Sequence, residues 1–132
     1  MTRCPCCHAR LKEAVTCPRC RADLTALINT KQAAHFYLAE AVQFWQDKNI
    51  HSSVQAINNS LHLQQTKMGV AFREFMIKQQ CQFILELLAK KQLLAAKRAL
   101  VQSRLLIAHS QQLQQLQSFN DFLLVKHYEQ SL

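Results

Sequence analysis

From about Thr25 onward, apolar residues return every three or four positions, the period of amphipathic helices. Tyr37, Ala41, Phe44 and Trp45 share one face, which predicts a first helix from Thr25 or Thr30 to Asp47, capped by Asp23 or Thr25. Asp47-Lys48-Asn49 reads as a turn. A second helix follows from Ile50 to about Gln65, with Val54, Ile57 and Leu61 inward. The third, Lys67 to Lys90, carries Phe72, Phe75, Met76, Phe83, Ile84, Leu87 and Leu88, and Cys81 beside them reads as a small core residue. After a turn at Lys90-Lys91-Gln92, a fourth helix is expected from Leu93 to about His109, burying Leu93, Ala96, Leu100 and Ile107. Ser110 fits the N-cap of a last helix closed by Leu113, Leu116, Leu123 and Leu124. The glutamine-rich stretch 111–117 forms its polar face.

Composition sharpens this picture. The one glycine is Gly69, and no proline follows Pro18, so the chain after Cys20 has almost no turn punctuation. With 132 residues, the length suits about one domain. The expected fold is mainly α: a small metal knuckle at 1–23, then an antiparallel array of about five helices at 24–132.

A shift of 43 residues lays the segment 49–60 on 92–103. Small residues meet at Ser53/Ala96, Ala56/Ala99 and Ser60/Ser103, and apolar ones at Ile50/Leu93 and Ile57/Leu100. Two stacked helical hairpins would produce that repeat. On Tyr37, Ala41 and Phe44 in one helix and Ser53, Ile57 and Ser60 in the next, the array resembles a tetratricopeptide repeat over about residues 34–109. The period differs from that family's, Gln65 stands at its closing proline, and the second unit matches only at Ala96, Leu100 and Ser103. The resemblance implies a surface that binds a protein or peptide.

Five of the six cysteines lie in the first twenty residues. Cys4-Pro5-Cys6-Cys7 and Cys17-Pro18-Arg19-Cys20 are C-P-x-C knuckles separated by nine residues, a spacing that delivers two thiolate pairs to one tetrahedral ion. Arg10 to Thr16 would form a hairpin-like connection. The segment resembles a zinc ribbon or rubredoxin-type knuckle, which implies one structural zinc ion on Cys4, Cys7, Cys17 and Cys20. His8 and Arg21 stand where such knuckles usually have glycine. Two alternatives stay open: Cys6 in place of Cys7, and His8 in place of one sulfur. Iron is compatible with four thiolates, and zinc is the default. Cys4-Pro5-Cys6-Cys7-His8 also satisfies the C-x-x-C-H haem-attachment pattern. Against haem stand the absence of an export signal, a second knuckle with no histidine, and no methionine there to serve as axial ligand.

The formal charge is +8, and four thiolates around a divalent ion bring it to about +6. Such a mildly basic chain suits an acidic partner or weak nucleic-acid affinity. Arg3, Arg10, Lys12, Arg19 and Arg21 surround the knuckle. Lys90, Lys91, Lys97, Arg98 and Arg104 form a second basic patch without interleaved aromatics, and Lys97 and Arg104 would share a helix face. No glycine-rich phosphate loop, paired carboxylates or activated nucleophile is recognisable, and a four-cysteine site has no open position for hydrolysis. His35, His51, His62, His109 and His127 show no ligand spacing. No apolar run suits a secretory signal or membrane span, which points to the cytoplasm. The expectation is a non-enzymatic adaptor with a protein partner, and a second copy of the chain as a further candidate. The alternative is a nucleic-acid-associated zinc ribbon.

Overall fold

The computed structural model describes residues 3–12 and 14–131; Glu13, inside the connection expected to be hairpin-like, lies outside them. Among the described residues the chain forms six helices: α1 Thr25–Gln46, α2 Ile50–Leu63, α3 Lys67–Ala89, α4 Leu93–Gln102, α5 Arg104–Ile107 and α6 Gln111–Ser131. None is long and apolar enough to cross a membrane.

Four helix starts have a local side-chain cause, and α4 and α5 begin without one. The Asp23 carboxylate accepts from the Thr25 backbone N–H at 3.0 Å and from its hydroxyl at 2.6 Å, so Asp23 rather than Thr25 organises the entry to α1. Asn49, Thr66 and Ser110 offer side-chain oxygens to the N–H groups of Ser52, Gly69 and Leu113. Between α2 and α3 the chain needs neither glycine nor proline, because Gln64 and Thr66 adopt extended backbone.

The two tight turns are copies of one another. Lys48 and Lys91 have φ of 62° and 60°. Asn49 N–H reaches back to the Phe44 carbonyl and Lys48 N–H to that of Trp45; Gln92 and Lys91 do the same to Leu87 and Leu88. Both are Schellman closures, with lysine at the left-handed position that glycine usually takes. They fall 43 residues apart, so the sequence repeat is also a repeat of backbone geometry.

Within the first hairpin, the Ser53 hydroxyl donates to the Ala41 carbonyl at 2.6 Å and Ser60 to Ala34 at 2.7 Å, both bonds buried. Those pairings run in opposite directions along α1 and α2, which makes the pair antiparallel. Small residues at 34, 41, 53, 56 and 60 permit the close approach. The second hairpin keeps the small residues Ala96, Ala99 and Ser103 but lacks the staples: the buried Ser103 hydroxyl has no partner.

Ile57, Met76, Ile84, Leu100, Leu106 and Leu113 lead the main core, which also contains Cys81. Burying side chains of this size contributes roughly 1.5–3 kcal/mol each. Two expectations change. Phe75 and Phe83 are exposed, Phe75 lying against Trp45 at the edge of the stripe (ring centroids 5.8 Å apart). The helix expected from Leu93 to His109 is broken at Ser103, whose φ of −96° and ψ of 16° leave the α region. Arg104 is thereby separated from the helix that carries Lys97, and Lys97 instead pairs with Asp121 at 3.0 Å.

Candidate metal centre

The N-terminal segment folds as two copies of one small unit. Cys4 N–H donates to the Ala9 carbonyl and His8 N–H to the Cys4 carbonyl; thirteen residues later, Cys17 donates to Ala22 and Arg21 to Cys17. Single antiparallel bridges, Arg3 to Arg10 and Thr16 to Asp23, close the two units. Proline after the first cysteine presets φ for the turn, and the chain then reverses through a left-handed residue. That residue is His8 in one copy (φ 63°) and Arg21 in the other (φ 59°). A side chain there costs about 1 kcal/mol relative to glycine, so the knuckles keep the glycine-type turn at some strain.

Opposed units bring the four sulfurs together. Cys4 Sγ lies 3.6 Å from Cys20 Sγ, and Cys7 Sγ 3.5 Å from Cys17 Sγ, each pair taking one sulfur from each knuckle. All four ligand atoms fall within 4.8 Å of one another. Four metal–sulfur bonds of about 2.3 Å arranged tetrahedrally would have edges of about 3.8 Å. The set is therefore one small adjustment from a metal-centred tetrahedron. It is far from the S–S bond of about 2.05 Å that a disulfide needs. These four residues can hold a metal ion. Cys6 and His8 do not belong to the group, and among the described residues no second group of three or more such donors forms.

Cys4 and Cys17 are buried, Cys7 is half-buried and Cys20 is exposed. Beneath them Leu11 and Leu24, each 1% exposed, form a miniature core with Ala9, Ala22 and Ile28 packed around it. The signal for this seat lies in the sequence, because Arg3–Leu11 and Thr16–Leu24 share the pattern Cys-Pro-x-Cys-x-Ala-x-Leu. Reading only the cysteines misses it. Leu24 and Ile28 also tie the seat to the first turn of α1, since Ile28 N–H donates to the Leu24 carbonyl.

The backbone prepares two sulfurs for the thiolate form. N–H groups of Cys20 and Arg19 lead in holding the Cys17 thiol down at about 6 against an ordinary 9.0, outweighing desolvation. Those of Cys7 and Cys6 lower Cys4 in the same way, and the Cys6 N–H lies 3.4 Å from Cys4 Sγ. At Cys20 the Ala22 N–H also favours the thiolate, but desolvation and hydrogen bonds from Cys17, Cys4 and Cys7 push the thiol up to about 12. Four sulfurs this close cannot all ionise without a cation between them. A divalent ion removes that conflict.

Arg3, Arg10, Lys12, Arg19 and Arg21 are all exposed around the site. Arg3 donates to the His8 carbonyl at 3.2 Å, which braces the first turn. Scans against protein-family models, curated proteins and solved structures find no match to this chain.

Proposed function

We propose that the protein is a non-enzymatic adaptor: a structural zinc clamp at Cys4, Cys7, Cys17 and Cys20, followed by helical hairpins that bind a protein partner. The observation that carries this reading is the contrast between the two parts. The cysteine cluster offers four thiolates and therefore no open coordination position for chemistry. The helices, by contrast, expose large apolar side chains such as Phe36, Met68, Leu94 and Phe122 although their core is already filled. Leu94 and Phe122 line one groove, and contiguous exposed apolar surface of that kind suits an interaction site. The 43-residue repeat of turns and small residues supports a tetratricopeptide-like description of the array, and a cytoplasmic setting would keep the thiols reduced.

Affinity capture of the full chain from its native cell, with metal assayed on the same sample, tests this reading. The expected result is a salt-resistant protein complex and one zinc per chain. A chain recovered alone would overturn the adaptor, and a coloured preparation would replace zinc with iron or haem. The five exposed basic residues around the knuckle favour one second reading, a nucleic-acid-associated ribbon. It requires binding that falls steeply with added salt and is lost on neutralising Arg3 and Arg19.

A further inference from the structure

The start of α4 and the C-terminal half of α6 leave a groove of about 1020 Å³ between them. Its floor is aliphatic, formed by half-buried residues such as Leu93 and Leu123. Its walls carry Leu94, Phe119, Phe122 and Tyr128, which are 51–61% exposed. Phe119 to Tyr128 covers ten residues of helix, or about 14 Å from first to last. That is the length of two to three helical turns of an occupant.

Its charge is one-sided. Lys91, Arg98 and Lys126 line the groove, and among the described residues no carboxylate does. The Lys126 ammonium stands 5.4 Å from the centroid of the Phe122 ring, which places a cation at the apolar wall itself. Lys91 is set by its left-handed turn. The Asp121 carboxylate on the same helix is engaged by Lys97.

We propose that this groove is the adaptor's docking site and that its occupant is an amphipathic helix of a partner protein, with acidic residues flanking its apolar anchors. The inference rests on the adaptor reading above and deepens it. Apolar anchors at helical spacing would fill the leucine floor between the phenylalanine walls, and carboxylates would meet the three cations at the rim. A second copy of the chain fits less well: a two-fold pairing of this groove would set three cations against the same three, on a chain already at +8. Single-stranded nucleic acid also fits less well. Its bases stack on aromatic faces, whereas much of this groove is leucine.

The probe is a fluorescent synthetic helix with Leu at i, i+3, i+4 and i+7 and Glu elsewhere, titrated by anisotropy against the full zinc-loaded chain. A Lys-for-Glu helix and oligouridylate are the comparisons. The Glu helix should bind, the double variant Arg98→Glu/Lys126→Glu should weaken it by about tenfold or more, and the Lys helix should bind that variant better than it binds the unaltered chain. Misfolding of the variant would not produce this charge-swap rescue. Equal binding of both helices, tighter binding of oligouridylate, or self-association that blocks the groove would each overturn the proposal. Capture from the native cell separates the two readings. A protein complex retained undiminished by the double variant overturns the groove and leaves the adaptor standing; no complex with either chain overturns both.

Discussion

Cys6 in the first knuckle occupies the place that Arg19 holds in the second. Its backbone N–H, and not its sulfur, supports the cluster by approaching Cys4 Sγ. Cys6→Arg is therefore expected to keep one metal per chain, whereas Cys7→Ser should lose it; metal content after dialysis against a weak chelator reads both. The buried hydroxyls give a second contrast between matched positions. Ser60 donates to Ala34, while Ser103, its counterpart 43 residues on, is buried without a partner. Ser60→Ala should cost about 1 kcal/mol, because a made hydrogen bond is lost. Ser103→Ala should be neutral or stabilising, because only an unsatisfied oxygen is removed. Urea denaturation of the two variants measures the difference in sign. Asn120 is fully buried with neither side-chain nitrogen nor oxygen bonded, and nothing in the surrounding structure explains it.

Helices and their turns were legible in the chain because their physics is local. Periodic apolar positions, the Asp23 turn before α1, the Ser110 cap of α6, and polar clusters at 47–49 and 90–92 each act within a few residues. What could not be read depended on packing between distant elements. Ser103 is an ordinary polar residue in the helical pattern, and only the burial of its surroundings shows the chain turning there. Phe75 and Phe83 belong to a stripe wider than the contact that α3 makes, so the period assigned them inward and packing left them outside. The turns also make a prediction at this scale. Lys48→Gly and Lys91→Gly remove the Cβ from a left-handed site whose closing hydrogen bonds are already formed. Each should stabilise by several tenths to about 1 kcal/mol, and the pair should add because the turns belong to different hairpins. Thermal melts of the single and double variants check both the sign and the sum.

Among the described residues there are two hydrophobic clusters, one beneath the cysteines and one among the helices. The first is too small to persist by burial alone, so an ion held by the four sulfurs would set its stability. Chelation should release the N-terminal segment while far-ultraviolet circular dichroism keeps most of its helical signal. Loss of the whole helical signal would mean that the clusters act as one. Acid should have the same effect as chelator. The Cys17 pKa is depressed in the fold, so the stabilisation its thiolate provides is complete above the ordinary thiol value of 9.0 and disappears as pH falls through about 6. Metal retention should fall as the solution is acidified, because protons compete with the ion for the sulfurs. The four cysteines could be picked from spacing alone, since two identical knuckles serve one ion. His8 and Arg21 at the glycine positions mark the turns as well, whereas the leucine seat shows only in the relation between the two copies of Cys-Pro-x-Cys-x-Ala-x-Leu, laid on one another.

That relation has a consequence for how the N-terminus tolerates change. Residues 3–11 and 16–24 solve one stereochemical problem twice, with the same bridges, the same reversed residue and the same leucine underneath. A saturation map of one half should therefore forecast the other when displaced by thirteen positions, and a chain in which either half is overwritten by its twin should still close around its ion.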